Sequence, residues 1–86
     1  MNRYVAELHL PTGGAPALAV ACERARSASE QLAREGVAVR CLRSVYVAED
    51  GRCLLVFEAA SPDAVVRAGC RAHLAYERVT DMPPTA

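Results

Sequence analysis

Residues 37–63, VAVRCLRSVYVAEDGRCLLVFEAASPD, decide the fold of this chain. They contain two runs rich in β-branched and apolar residues, over residues 37–47 and 53–59. The Asp-Gly pair at residues 50–51 is typical of a tight hairpin turn between two such strands. Ser61 then supplies an oxygen cap and Pro62 a favourable first helical residue. The stretch therefore predicts a strand, a hairpin, a second strand and the start of a helix.

The flanking segments add one strand and one helix before this stretch and one strand after it. Residues 3–10 alternate between apolar and polar and predict a strand. A helix with one apolar face is predicted from Pro16 to about Arg34. The helix that begins at Pro62 should end near residue 72 or 73, and residues 76–82 should form the last strand. The chain is then one domain over residues 1–82, with residues 83–86 as a flexible C-terminal tail.

This order of elements, β-α-β-β-α-β, specifies the α+β ferredoxin-like plait, a four-stranded antiparallel sheet with two helices. Crossover connections are right-handed, so both helices lie on one face of the sheet. Nothing in the sequence supplies a cover for the other face, which we call the open face. Strand alternation places Val45, Leu54 and Val56 there, together with Arg43 and Cys41. An apolar patch of this kind predicts a homodimer of the dimeric α/β barrel type.

The overall composition indicates that a partner covers part of the protein surface. A chain of 86 residues buries only about 60–65% of its unfolded surface. Nevertheless, 52% of its residues are hydrophobic and its mean hydropathy is +0.08. A partner that shields part of the surface explains this excess.

Charge and segment composition exclude several classes of partner. Ten basic and ten acidic residues cancel, and the sequence pI is about 6.7, so the basic footprint of a nucleic-acid-binding protein is missing. Without a signal-like segment or a long apolar run, we expect a cytoplasmic protein that does not enter a membrane. Its Ala-, Arg- and Val-rich composition is typical of a GC-rich bacterial source.

Three side chains on the open face could bind a metal ion. Glu7 and His9 share this face of the first strand, and Glu58 lies on the same face of the third. Because these strands are central neighbours in the plait, Glu7 or His9 can approach Glu58. Imidazole and carboxylate groups suit a divalent ion such as nickel, cobalt or zinc. The alternatives are a cross-strand ion pair of Glu58 with Arg43, pairing of Glu7 with a partner chain, and an ordinary polar role for His9.

Two further readings concern the remaining polar residues. His73 ends the second helix, where an imidazolium is favoured by the helix dipole. A cofactor-free enzyme of the dimeric α/β barrel kind is the alternative function, with His9 or His73 and Tyr46 as its acid and base. The four cysteines lie in four different elements without a short ligand motif, so we interpret them as small buried hydrophobes.

Several segments together resemble a known family. They are Arg3-Tyr4-Val5, Leu42-Arg43-Ser44, Glu49-Asp50-Gly51, Leu55-Val56-Phe57-Glu58-Ala59 with Ser61-Pro62, and Glu77-Arg78-Val79-Thr80. The family consists of short bacterial ferredoxin-like proteins catalogued as a domain of unknown function, with a nickel-binding branch. The resemblance spans residues 3–82.

The resemblance implies a metal site built from matching positions. Glu7 and His9 match an acid and a histidine at the end of the first strand, and Glu58 matches an acid of the third. His73 matches a histidine at the end of the second helix, while Gly69 stands where that helix would carry another. The sequence thus predicts a non-enzymatic homodimer that binds nickel, another divalent ion or a small ligand through Glu7, His9, Glu58 and His73.

Overall fold

The structure, a computed structural model, describes residues 1–8, 10 and 14–82. Its elements are β1 (Asn2–Leu8), α1 (Gly14–Arg34), β2 (Val39–Val47), β3 (Arg52–Ala59), α2 (Pro62–Arg71) and β4 (Tyr76–Met82). The four strands form one antiparallel sheet in the order β2-β3-β1-β4. The predicted α+β ferredoxin-like plait is confirmed. His9 and the predicted tail, residues 83–86, lie outside the described residues.

The core lies between the sheet and the two helices. Alternate residues of β1 and β3 face the helices, and the buried stripes of α1 and α2 cover them. Phe57 is 0% exposed at the centre of β3 and makes an edge-on contact with the ring of Tyr76, with 6.3 Å between ring centroids. The chain measures 36 × 31 × 17 Å, and its shortest dimension corresponds to two layers.

The start of α2 follows the sequence signals closely. Ser61 has an extended backbone, and its Oγ accepts a hydrogen bond from the backbone N–H of Ala64 at 3.3 Å. Pro62 is the first helical residue, as predicted. In contrast, α1 begins at Gly14, two residues before the predicted Pro16, because proline is tolerated anywhere in the first turn. None of the helices in the described part of the chain is long and apolar enough to cross a membrane.

A β-bulge in β2 overturns one sequence prediction. Cys41 is opposite Phe57 and Arg43 is opposite Val56, so the register shifts between them and Leu42 is the extra residue. The shift reverses the alternation of side chains along the strand. Arg43 and Val45 lie on the open face as predicted. Cys41 does not, because the bulge turns it to the helix side with Phe57.

Candidate functional site

The open face has an apolar centre surrounded by charges. Val56 pairs with Val5 on β1 and Arg43 on β2, and Leu54 pairs with Val45. Val45 is 37% exposed, whereas Val56 is only 3% exposed because its neighbours already cover it. The charged residues of this face within the described residues are Arg3, Arg40, Arg43, Arg52, Arg78, Glu7 and Glu58. Five arginines against two glutamates give the strands of this face an excess of three positive charges, which Asp50 of the hairpin offsets in part at Arg52, although the whole chain is neutral.

Glu7 is held by an arginine of the same chain. Arg52 Nη2 donates a hydrogen bond to Glu7 Oε1 at 3.2 Å, and the Glu7 side chain is 21% exposed. Arg52 Nη1 also lies 3.7 Å from Asp50 Oδ2. On the other side, Glu7 pairs in register with Arg78 of β4. The carboxylate is thus satisfied by cations of its own chain, which was not among the sequence predictions.

Glu58 occupies the opposite end of the open face. It is in register with Arg3 on β1 and with Arg40 on β2. The sequence prediction paired it with Arg43, which lies opposite Val56 instead, and the bulge places Arg40 rather than Cys41 opposite Glu58. Glu58 therefore lies in register between two arginines, and cross-strand pairs of opposite charge are favourable.

The structure does not bring Glu7, Glu58 and His73 together, and His9, the fourth residue of the predicted divalent-metal site, lies outside the described residues. Glu7 pairs with Leu54, four residues from Glu58 along β3, which corresponds to about 13 Å of strand. His73 follows α2 on the helix side of the sheet. Among the described residues, no three His, Cys, Asp or Glu side chains could hold one metal ion. The arginine excess also repels a divalent cation.

His73 lies at the rim of a groove between the helices. The groove has a volume of about 170 Å3 and is lined by Arg24, Ser27, Ala28, Gln31, Arg71, Ala72 and His73. Arg71 is engaged by Glu35, to which both of its terminal nitrogens donate hydrogen bonds. Tyr46 lies elsewhere, with its hydroxyl close to Gly14 at the start of α1. The described grooves thus do not combine His73 with Tyr46, the pair that the alternative enzyme requires.

The backbone explains the position of His73 without a ligand. It has a φ of 58°, in the left-handed region that favours glycine. The N–H of Leu74 bonds the carbonyl of Gly69 at 2.9 Å, and the N–H of His73 bonds that of Cys70 at 3.2 Å. These two bonds are the Schellman motif that ends many helices, in which His73 occupies the usual glycine position.

We expect His73→Gly to raise the free energy of unfolding by about 0.5–1 kcal/mol, because glycine adopts a positive φ without steric cost. Urea denaturation of both proteins measures this difference. His73→Ala is the matched control, since it removes the imidazole but keeps the Cβ atom. If alanine stabilises as much as glycine, the imidazole rather than the backbone is responsible.

Sequence reasoning missed the role of Gly69. A Cβ atom at this position would lie 2.5 Å from Cζ of Tyr76, so glycine leaves the space in which the tyrosine ring packs against α2. The Tyr76 hydroxyl is buried and has no hydrogen-bond partner among the described residues, and burial raises its pKa above the ordinary value. Packing of the Tyr76 ring against α2 therefore explains why position 69 is glycine, where the resemblance implies a histidine.

Two cysteines on the helix side form a contact. Cys22 Sγ on α1 and Cys41 Sγ on β2 are 4.0 Å apart, and all four cysteines are free thiols. Cys22 and Cys53 are buried as predicted, Cys41 is half-buried, and Cys70 is exposed. Burial, followed by the neighbouring Cys22, raises the pKa of Cys41 to about 12. The Cys41 thiol is therefore protonated at neutral pH.

Comparison with known proteins bears on the fold. Neither family models nor curated proteins gave a match to this chain. Among solved structures, the chain is similar to SCO4226 from Streptomyces coelicolor A3(2), with a TM-score of 0.76 and 17% sequence identity. The similarity covers 98% of this chain and 99% of that chain. At this identity it supports the ferredoxin-like architecture, and membership of the family that the sequence resembles stays a prediction.

Proposed function

We propose that the chain is a non-enzymatic homodimeric binding protein, in which two copies pack through their open faces and hold a small anionic ligand between them. The observation that carries the proposal is the composition of this face: an apolar centre in which Val5, Val45 and Leu54 remain partly exposed, surrounded by five arginines and two glutamates. Specific interfaces have a similar arrangement, with an apolar core and a polar rim in which arginine is enriched.

The sheet edges are poor candidates for the contact between copies. The edge strand β2 has a bulge and carries Arg40 and Arg43. The other edge strand, β4, has a register irregularity and carries Arg78 and Asp81. Bulges and charges are the features by which proteins prevent edge-to-edge pairing. The open face remains the better surface for a second copy.

The area of the face suggests a weak dimer. With strands about 4.8 Å apart and residues about 3.3 Å apart, the face measures roughly 20 × 23 Å. Two such faces in contact bury on the order of 1,000 Å2, which is the lower limit for a specific interface. Because Val56 is already shielded, the main apolar gain comes from Val5, Val45 and Leu54. We therefore expect dissociation in the micromolar range.

The charge of the face supports an anionic ligand. Two copies bring together two surfaces that each have an excess of three positive charges among their described residues. This repulsion opposes association, and an anion placed between the arginines relieves it. Guanidinium groups bind carboxylate and phosphate in a bidentate geometry, so a small multivalent carboxylate or phosphate is the expected class.

Sedimentation velocity of the full chain across micromolar concentrations tests the dimer. We expect Val45→Arg to weaken association at least ten-fold, because it replaces apolar surface with a sixth positive charge. Val66→Arg is the matched control: Val66 is 43% exposed on the helix side, compared with 37% for Val45. A wild-type chain that stays monomeric at high micromolar concentration in phosphate contradicts the proposal, as does equal dissociation of both variants.

The same experiment in two buffers tests the ligand. At equal ionic strength, inorganic phosphate should strengthen association more than chloride, by about ten-fold, and Arg43→Gln should reduce this difference. If the two salts act equally, simple screening accounts for the salt effect and the anion site is excluded.

A further inference from the structure

The contact between Cys22 and Cys41 is independent of the open face. Cys22 belongs to the buried stripe of α1, and the bulge at Leu42 turns Cys41 toward it. Their sulfur atoms are 4.0 Å apart and share a weak hydrogen bond in which either can be the donor. The two thiols connect α1 to the edge strand β2 on the helix side of the sheet, and neither is part of the proposed open-face dimer.

The distance between the sulfur atoms distinguishes two kinds of chemistry. A disulfide requires about 2.05 Å between sulfurs, so these atoms would have to move roughly 2 Å closer. A metal–thiolate bond is about 2.3 Å for zinc, so two thiolates that bind one ion of this size from opposite sides are up to about 4.6 Å apart. The observed 4.0 Å falls within reach of a bridging ion and outside that of a covalent bond.

The surroundings favour a complex with negative charge. Arg26 Nη2 donates a hydrogen bond to the carbonyl oxygen of Leu42 at 3.2 Å, which holds the guanidinium beside Cys41. Arg26, Arg34 and Arg40 of the edge strand line the same groove of about 480 Å3 as Cys41, together with Glu30, and Glu23 pairs with Arg26, so three arginines face two glutamates here. A monovalent ion bound by two thiolates carries one net negative charge, which these cations offset. The groove also gives an ion access to the half-buried Cys41.

We propose that Cys22 and Cys41 form a two-coordinate site for a soft monovalent metal ion of the copper(I) or silver(I) type. Each thiol loses its proton and forms one sulfur–metal bond, so one ion binds and two protons are released, without oxidation or reduction. Soft ions prefer thiolate ligands, and the described residues offer no third side chain that could complete a zinc or nickel site.

Proton release gives the site a pH dependence. Burial and the neighbouring thiol keep Cys41 protonated at neutral pH, since they raise its pKa to about 12. The ion has to displace both protons, so the apparent affinity should rise roughly 100-fold for each unit of pH below the thiol pKa values. A single exposed thiol would give a ten-fold rise, which separates this site from binding at Cys70.

Titration of the reduced full chain with silver(I) in nitrate buffer, and with copper(I) against a competing chelator, tests the proposal. One ion should bind per chain with release of two protons, and X-ray absorption should show two sulfur neighbours. Cys22→Ser and Cys41→Ser should each lower the affinity at least 100-fold. Cys53→Ser and Cys70→Ser are the matched controls and should retain it, since neither thiol belongs to the pair.

The X-ray absorption measurement uses the wild-type chain, so it can refute the proposal even if a cysteine variant does not fold. Nitrogen or oxygen neighbours at the metal would overturn it. Retention of the tight site in both Cys22→Ser and Cys41→Ser would also overturn it, as would its loss in Cys70→Ser. Because the thiol pair lies on the helix side, these outcomes do not depend on whether the open face dimerises.

Discussion

Replacement of Gly69 by alanine is expected to lower the free energy of unfolding by about 1–3 kcal/mol, the range of overpacked cores. The added Cβ would lie 2.5 Å from Cζ and 2.6 Å from Cε2 of Tyr76, so the ring or α2 has to shift. The helix preference for alanine over glycine, about 1 kcal/mol, offsets part of this cost. Chemical denaturation measures the difference.

A double-mutant cycle isolates the steric cause. With leucine at position 76 the obstructing ring is gone, and Gly69→Ala should become neutral or stabilising, with a coupling energy of about 2 kcal/mol. Gly36→Ala is the control glycine. It has a φ of +94° and no neighbour within 4 Å of an added Cβ, so its cost should be unaffected by Tyr76→Leu. Additive effects of Gly69→Ala and Tyr76→Leu would refute the packing account.

The larger loss is expected for Phe57→Ala, about 3–5 kcal/mol. Phe57 is fully buried between the sheet and the helices and contacts the Tyr76 ring. A domain of 86 residues has a total stability of about 4–13 kcal/mol, so this single change removes a large part of it. Differential scanning calorimetry should show a fall of the melting temperature by roughly 15–30 °C.

Val66→Ala serves as the comparison, because its side chain is 43% exposed on α2. Val66→Ala should change the free energy of unfolding by no more than about 0.5 kcal/mol. If Phe57→Ala lowers the free energy of unfolding no more than Val66→Ala does, Phe57 does not pack in a core between the sheet and the helices.

The order of elements could be predicted because each one has a local signal. The Asp-Gly turn, the Ser61-Pro62 helix start and the alternation of β3 each depend on a few neighbouring residues. The strand Tyr76–Met82 was predicted with the bounds that the structure has. Alternation also predicts which residues of β1 and β3 face the helices, because the pairing of these two strands contains no bulge.

The candidate site could be predicted only in part, because it depends on register between strands. Alternation places Glu7 and Glu58 on one face, but it cannot tell that they lie at opposite ends of that face. The extra residue at Leu42 has no distinctive sequence signal, and it places Arg40 rather than Cys41 opposite Glu58. The contact between Cys22 and Cys41 depends on the same residue.

The extra residue divides β2 into two halves in which the alternation of side chains is reversed. Odd-numbered residues face the helices before Leu42 and the open face after it. In the half before Leu42, Val39 and Cys41 belong to the interior, and in the half after it Val45 belongs to the outside. Deletion of Leu42 would therefore join the two halves into one regular strand, with Val39 and Cys41 still in the interior and Arg40 and Val45 still on the outside. A deletion at any other position of β2 lacks this compensation and turns the residues on one side of it to the opposite face of the sheet.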